Sequence, residues 1–227
     1  MKQNDDLRPL MASMTGDPRD PGPTSTLDVL WVLYDRVLRI TPETADDPSR
    51  DRFLLSKGHA PGAYYAVLAA KGFVPEEWLR RFAEVDSPLG NHPDRVLVPG
   101  VEVSSGSLGH GLPIAVGTAL GLRAQGLTRP RTYVLVGDAE LDEGSNHEAI
   151  AYAGATGLDS LTAVVVDNQS ATHGWPGGIA SRFEVNGWSA ETVNGRDHHQ
   201  LEKALQGHRS GRPHVVVAVV EAKVGAA

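Results

Sequence analysis

The sequence predicts an α/β fold, in which a parallel sheet is flanked by helices on both faces. Two observations lead to this class. Segments with helical spacing of apolar residues alternate along the chain with short apolar segments, an order typical of parallel strands joined by crossover helices. Several short segments, such as VVVAVV at 215–220, are continuously apolar, which indicates strands that are buried on both faces.

The helical segments follow from apolar spacing and from the residues at their ends. Gly72 and Gly126 stand where helices commonly end, and Pro75 suits a first helical turn. On this basis helices are predicted over residues 25–40, 60–72, 74–85, 112–126, 146–157 and 197–206.

The strands are predicted from apolar runs bounded by polar and turn-forming residues. They cover residues 131–138, 161–168, 189–195 and 213–222. Residues 1–24 carry Asp, Pro and Gly without periodicity and are expected to form an irregular N-terminal arm. Because no repeat or linker follows, residues 25–227 are expected to form a single α/β domain.

The composition excludes several classes of function. The 227 residues are 41% hydrophobic and carry a net charge of −7, so nothing favours a nucleic-acid or anionic-membrane partner. There is no cysteine for disulfides or thiol chemistry. The first residues lack the apolar stretch of a secretory signal, and the longest apolar run is too short to span a bilayer. We therefore expect a soluble cytoplasmic protein.

Polar residues follow two of the predicted strands and suggest a metal site. Asp138 ends the strand at 131–138, and Asn168 ends the strand at 161–168. Ligands of such folds bind at the carboxyl ends of the strands, and hard oxygen donors of this kind suit Mg²⁺ together with phosphate oxygens. A helix starting after Asp138 would offer free N–H groups to a diphosphate. The alternative is a pair of ordinary polar turns, with the acids simply favouring a helix start.

Four blocks in a fixed order resemble the transketolase family. GDAELDEGSNHEA, followed by VVVDNQS about thirty residues on, resembles its thiamine-diphosphate motif. LSKGHAPGAYY at 55–65, LGNHPD at 89–94 with GVEVSSGSLGHGLPIAVGTALG at 100–121, and DPGPTSTLDVLWVLY at 20–34 are similar to other segments of the family. The resemblance runs from about residue 16 onward and matches only the first of the three domains of a full transketolase.

The resemblance implies an enzyme that transfers a two-carbon ketol unit from a ketose or ketose phosphate to an aldehyde or another acceptor. It implies thiamine diphosphate and Mg²⁺, with Ca²⁺ or Mn²⁺ able to substitute. It also implies a C-terminal partner subunit that carries the pyrimidine-binding domain, in an α2β2 heterotetramer that is active only when both chains are present.

The resemblance also assigns roles to residues at matching positions. The metal ligands would be the side chains of Asp138 and Asn168 and the backbone carbonyl of Ser170. The catalytic residues would be His59 and His92, which move protons, and Glu143, which links the two active sites. The cofactor would contact His59, Gly106, Ser107, Leu108, His110, Gly137, Asp138, Ala139, Glu140 and Asn168.

Three departures from the family pattern stay open. Asp20, or Asp17 in another alignment, stands where a substrate-facing His is expected, and Ala139 replaces a Gly beside the diphosphate. The chain ends before the K-G-x-G loop of the family. These changes favour a specialised enzyme of secondary metabolism. The alternatives are a 2-oxo acid decarboxylase or dehydrogenase E1-type subunit, a deoxyxylulose-phosphate-synthase-like subunit, or a non-catalytic regulatory homologue.

Overall fold

A computed structural model of the chain describes residues 4–15, 21–59, 61–207 and 210–223. Five parallel strands form one sheet in the order β1-β2-β3-β5-β4. The strands are β1 Arg52–Leu55, β2 Thr132–Gly137, β3 Leu161–Asp167, β4 Ser189–Asn194 and β5 His214–Val219. The predicted α/β class with a parallel sheet is confirmed.

Seven α-helices lie within the described residues. They are α1 Leu7–Thr15, α2 Pro21–Val32, α3 Gly62–Ala70, α4 Gly111–Ala124, α5 Gly144–Ala155, α6 Gly178–Glu184 and α7 His198–Leu205. Two clusters of buried apolar residues lie in the core. Alternate residues of β3 divide between them, since Val164 and Val166 belong to one cluster and Val165 to the other. Helices therefore pack on both faces of the sheet, as predicted.

The N-terminal arm is not wholly irregular, so that prediction is wrong for residues 7–15. Leu7–Thr15 form helix α1, and Leu7 and Met11 are buried in the core. The two apolar residues are four positions apart and lie on one face of the helix. A single apolar stripe between Asp- and Pro-rich flanks was too weak a signal to be recognised. Asp17 and Asp20, and residues 224–227, lie outside the described residues.

Other elements differ in length or kind from the predictions. The helix predicted at 25–40 begins earlier and ends in a π-helical turn at Leu33–Val37, after which Leu38 is extended. Residues 74–85 form only a short 3₁₀ helix, Glu76–Arg81, and Ala83 then takes a positive φ of 60°. Strand β1 and helix α6 were not predicted. With four and seven residues, they are too short to show a clear repeat of apolar residues.

The register of the central strands brings the predicted metal ligands to one edge. β2 and β3 are neighbours, and Gly137 pairs with Val166. Asp138 and Asn168 therefore leave adjacent strands at the same carboxyl edge of the sheet. Within the described part of the chain, no helix is long and apolar enough to cross a membrane.

Candidate cofactor and metal site

A cavity of about 290 Å³ lies at the carboxyl ends of β1, β2 and β3. It is lined by residues that follow β1, β2 and β3, by the loop before α4 and by the segment after β5. The lining residues are Lys57, His59, Leu108, Gly137, Asp138, Ala139, Glu140, Asn168, Ser170 and Lys223. Eight of the predicted site residues are thus brought together in one cavity.

Asp138 is held by the loop that follows the neighbouring strand. Its side chain is buried, and its carboxylate accepts hydrogen bonds from the backbone N–H and the hydroxyl of Ser170, both at 2.6 Å. The N–H of Ala171 donates to the same carboxylate at 3.2 Å. These bonds fix the carboxylate at the cavity wall and bring Ser170 beside it.

Asn168 carries the strongest indication that an additional group belongs in this cavity. The residue is only 6% exposed, and its side-chain oxygen Oδ1 is buried without a hydrogen-bond partner among the described residues. Buried polar atoms in proteins are almost always paired, so such an atom needs an explanation. A cation beside Asp138 would satisfy this oxygen, and the oxygen donors present fit Mg²⁺.

The donor set has few charged ligands. The described residues contain no group of three His, Cys, Asp or Glu side chains that could hold a metal. A cation between Asp138 and Asn168 would therefore have one protein carboxylate. Mg²⁺ is commonly bound in this way, with one or two carboxylates, water and the phosphate oxygens of a ligand. The residues present fit a metal that is bound together with a diphosphate.

Glu140 lines the cavity, but its carboxylate is engaged with the protein. It accepts hydrogen bonds from the Ser56 hydroxyl, from Gly109 N–H at 3.0 Å and from Gly137 N–H at 3.2 Å. Burial raises the pKa of this carboxyl, and the three hydrogen bonds oppose that rise. Glu140 thus ties together three segments of the cavity wall, and its predicted contact with the cofactor stays a prediction.

The loop before α4 depends on two glycines that pack closely against site residues. Gly106 has a φ of 149°, and a Cβ at this position would lie 2.7 Å from Cδ2 of His92. Gly109 has a φ of 82°, and its Cβ would lie 2.5 Å from Cβ of Glu143. Both positive φ values favour glycine. The loop can therefore approach His92 and Glu143 while it places Leu108 in the cavity wall.

The two predicted catalytic histidines form a pair. The rings of His59 and His92 meet edge to face, with centroids 5.2 Å apart, and both residues are exposed. His59 lines the cavity. Imidazoles placed together at a cavity mouth can move protons near neutral pH. The sequence placed these residues 33 positions apart, and the fold brings them into contact.

Five predicted residues are not part of the cavity wall. Gly106 and His92 lie against each other beside it, whereas Ser107, His110 and Glu143 are exposed. The fold therefore brings the predicted metal ligands together more completely than it does the predicted cofactor contacts.

The chain directly behind Asp138 differs from the prediction. The helix start expected there is a 3₁₀ turn, Ala139–Asp142, and α5 begins only at Gly144, with Glu143 at its N-cap position. The helix predicted over residues 146–157 is observed as α5, two residues earlier in the chain, and the turn between it and Asp138 was not predicted.

Two lysines in the cavity wall were missed by sequence reasoning. Lys57 donates from Nζ to the hydroxyl of Ser25 at 3.1 Å. Burial lowers its pKa, and so does the charge of Lys223, whereas Asp138 and Glu140 oppose the shift. The backbone N–H of Lys223 donates to the carbonyl of Asn168 at 2.8 Å. The position of Lys57 inside the S-K-G-H block was the available signal.

A larger hollow of about 460 Å³ lies at the ends of β4 and β5. Arg196, which lines it, is already bound to Asp28 at 2.7 Å and to Glu221 at 2.6 Å. These ion pairs fasten α2 to the segment after β5. We therefore place the candidate site at the smaller cavity, which is lined by two lysines and by Asn168, the residue with the orphaned oxygen.

The fold and the cavity define an α/β domain with a polar cavity at the carboxyl edge of a parallel sheet. Comparison with known proteins identifies its family. Residues 12–226 match the family described as transketolase, thiamine diphosphate binding domain. The chain belongs to this family, and the resemblance found in its sequence blocks is confirmed.

Curated relatives support the same family. An apulose-4-phosphate transketolase subunit from Actinobacillus succinogenes is 39% identical over 201 residues, which are 86% of this chain and 72% of that protein. The 6-deoxy-6-sulfo-D-fructose transketolase subunit SqwG of a Clostridium species is 34% identical over 205 residues, which are 86% of this chain and 74% of that protein. Both relatives are named as subunits.

Another relative carries a different kind of name. Ferredoxin fas2 of Rhodococcoides fascians is 55% identical over 217 residues, which are 95% of this chain and 71% of that protein. Iron–sulfur clusters are held mainly by cysteine thiolates, and these 227 residues contain no cysteine.

Solved structures agree with the fold. A transketolase from Pichia stipitis in complex with a sedoheptulose phosphate aligns with a TM-score of 0.80 and 27% identity, over 95% of this chain and 35% of that one. A transketolase from Campylobacter jejuni aligns with a TM-score of 0.78 and 29% identity, over 95% and 36%. The chain thus spans about a third of the length of these transketolases.

Proposed function

We propose that the chain is the diphosphate- and Mg²⁺-binding subunit of a two-chain transketolase. The observation that carries the proposal is the orphaned oxygen of Asn168, buried at the same sheet edge as Asp138, in a chain of the transketolase family. Asp138, Asn168 and Ser170 would hold the metal. Gly106, Leu108, Gly137 and Ala139 would lie against the cofactor.

Thiamine diphosphate, when bound, supplies the nucleophilic carbon and the electron sink for cleaving a ketose between its second and third carbons. The chain's own residues bind and orient it. His59 and His92, at the mouth of the cavity, would hold and move the protons of the substrate hydroxyls. Leu108 would keep the cavity apolar on one side and help exclude water.

A ketose donor is supported by the relatives. Two of them are transketolase subunits named for apulose 4-phosphate and for a sulfonated fructose. We propose a ketose donor that carries an anionic group, and a partner chain that supplies the pyrimidine-binding domain. An α2β2 assembly would then provide paired active sites with a Glu143 in each.

The metal site can be tested by cofactor binding. The full chain, mixed with a partner chain that carries the pyrimidine-binding domain, is titrated with thiamine diphosphate in a calorimeter, with Mg²⁺ or with excess chelator. Wild type should bind only with Mg²⁺, and Asp138→Ala and Asn168→Ala should each weaken binding by roughly tenfold or more, since each loses a ligand. Glu148 is an exposed residue of α5, and Glu148→Ala serves as the control that should bind the cofactor as wild type does. Metal-independent binding, or unchanged affinity in both variants, would contradict the proposal.

A further inference from the structure

Arg182 of α6 is a buried cation that lies outside the wall of the cofactor cavity. Its side chain is only 5% exposed. A guanidinium withdrawn from water needs several partners, because the free energy of its desolvation is offset only by charge pairing and hydrogen bonds. The partners of Arg182 therefore indicate which segments of the chain it holds together.

Two of these partners belong to the turn that follows β2. The guanidinium donates from Nη2 to the carbonyl of Leu141, and its Nη1 lies 3.7 Å from the carboxylate of Asp142. Nη2 also contacts the ring of His147 on α5. Burial and the charge of Arg182 lower the pKa of that imidazole, which favours the neutral ring that can accept a hydrogen bond. The turn directly behind Asp138 is thus tied to α6.

The loop after β3 reaches the same cluster of side chains. The indole ring of Trp175 lies against the guanidinium, with 5.2 Å from its centroid to Cζ of Arg182, and its centroid is 5.9 Å from that of His147. Such a cation is attracted to the face of an indole. The backbone N–H of His173 donates to Asp142 at 3.4 Å. Arg182 therefore lies between the two segments that lead away from the proposed metal ligands.

The loop after β3 is also attached at its metal end. Ser170 and Ala171 donate their backbone N–H groups to the Asp138 carboxylate, at 2.6 and 3.2 Å. Residues 171–174 are exposed, and exposed loops with few buried contacts open easily. A cation that binds Asp138 would compete with the loop for that carboxylate. An attachment at Arg182 would keep the loop in place while Asp138 binds the metal.

We propose that Arg182 is a positioning residue, which holds the loop after β3 against the turn after β2 and so keeps Ser170 beside the metal position. The metal part of this inference rests on the proposed function, whereas the position of the loop can be measured without a ligand. Without Arg182 a cation would have to order the loop as it binds, and the lost conformational entropy would weaken its binding.

The first test is amide hydrogen exchange of the full chain without ligand, in wild type, Arg182→Met and Arg182→Lys. Arg182→Met keeps a long stem and removes the guanidinium. It should speed the exchange of the Ser170 and Ala171 amides by roughly tenfold, whereas α7 should exchange as in wild type. Arg182→Lys should restore only part of the protection, because an ammonium does not reproduce the planar fork that bridges Leu141 and Asp142.

Trp188→Phe is the control for a general loss of stability. It removes the buried hydrogen bond from the indole of Trp188 to the carbonyl of Ile150, so it should lower the melting temperature. The exchange of the loop relative to α7 should stay as in wild type. If Trp188→Phe frees the loop as Arg182→Met does, the effect is one of global stability and the positioning role is wrong.

The second test measures the Mg²⁺ requirement. The full chain, mixed with a partner chain that carries the pyrimidine-binding domain, is given a fixed concentration of thiamine diphosphate, and bound cofactor is measured as Mg²⁺ is added. Arg182→Met should need roughly five- to tenfold more Mg²⁺ for half-maximal binding and should reach full binding when Mg²⁺ is saturating. Trp188→Phe should follow wild type.

The outcomes separate this inference from the proposed function. If wild type binds the cofactor with Mg²⁺ but Arg182→Met shows unchanged loop exchange or an unchanged Mg²⁺ requirement, the positioning role is wrong and the function stands. If wild type binds no cofactor at any Mg²⁺ concentration, the proposed function fails and the metal part of this inference fails with it. Melting curves establish that each variant is folded. Trp175→Ala, at a half-buried position of the loop, replaces Arg182→Met if that variant does not fold.

Discussion

At the scale of single residues, the cavity depends on acids that serve different purposes. Asp138 turns its carboxylate toward the loop after β3, beside the proposed metal position, whereas Glu140 turns its carboxylate into the protein. Sequence reasoning grouped both as ligand-binding, because it could not see that the donors to Asp138 come from the loop after β3, whereas those to Glu140 come from other segments of the cavity wall. Two donors of Glu140, on Ser56 and Gly109, are 84 and 31 residues away along the chain, so no local pattern records them.

Replacement of Glu140 tests its part in the cavity wall. A Gln at this position keeps the shape but can accept with only one of its two terminal atoms, so at least one buried donor loses its partner. Glu140→Gln should lower the free energy of unfolding by about 1–3 kcal/mol. Urea denaturation of the full chain measures this change.

The exposed Glu148 of α5 provides the matched control, since Glu148→Gln should leave the free energy of unfolding within about 0.5 kcal/mol of wild type. If both variants unfold at the same urea concentration, the bonds of Glu140 do not contribute to holding the three segments together.

The histidines show what motif context can predict. His59 and His92 were chosen from their sequence blocks, and the fold brings their rings to 5.2 Å. Lys57 lies inside one of these blocks and was passed over, because a lone lysine is usually a solvated surface residue. Only the fold shows that its stem crosses Gly137 and that it lines the cavity.

At the scale of elements, long apolar runs were predictable and short elements were not. β2, β3 and β5 are continuous runs of mostly buried residues, and the predicted and observed strands agree closely. β1 has only four residues, Arg52–Leu55, and is recognised as a strand because it pairs with β2. The pairing of β1 with β2 cannot be read from the sequence of β1 itself. The same holds for α6, whose buried Arg182 and Phe183 pack at its end.

The contact between α5 and the turn before β4 provides an element-scale prediction. At Gly154 of α5 an added Cβ would lie 1.6 Å from the carbonyl oxygen of Asn186, so the helix and the turn would have to move apart. The same contact is closed by Trp188, whose indole N–H donates to the Ile150 carbonyl at 2.8 Å. Gly154→Ala should lower the free energy of unfolding by about 3 kcal/mol or more.

Gly117 of α4 is the matched control for Gly154. It is exposed, and an added Cβ meets nothing within 4 Å among the described residues. Gly117→Ala should raise the free energy of unfolding by about 0.5–1 kcal/mol, since alanine favours a helix more than glycine does. Thermal melts of both variants measure the difference. If Gly154→Ala melts at or above wild type, α5 does not pack against this turn as closely as the structure shows.

At the scale of the whole molecule, the fold class and the edge of the sheet that carries the site were predictable. Alternating periods predict parallel strands, and parallel strands place their carboxyl ends together. The adjacency of β2 and β3, which brings Asp138 and Asn168 to neighbouring strand ends, is shown by the observed strand order. The helix at residues 7–15 and the residues that line the cavity could be identified only from the structure.

We propose that this chain forms half of a ketol-transferring active site. It spans 35–36% of solved transketolases, and its described residues include the proposed metal ligands and a pair of histidines. The pyrimidine-binding side of the cofactor would come from a second chain. Activity should therefore depend on both chains, on Mg²⁺ and on thiamine diphosphate.

The most direct measurement is donor cleavage by this chain mixed with a second chain that carries the pyrimidine-binding domain of a transketolase. A ketose phosphate and pyruvate are offered separately, with Mg²⁺ and thiamine diphosphate present. We expect a shortened aldose phosphate from the ketose, only when both chains are mixed, and none with Asp138→Ala. Carbon dioxide from pyruvate and no aldose from the ketose would contradict this claim and assign the chain to the decarboxylating enzymes.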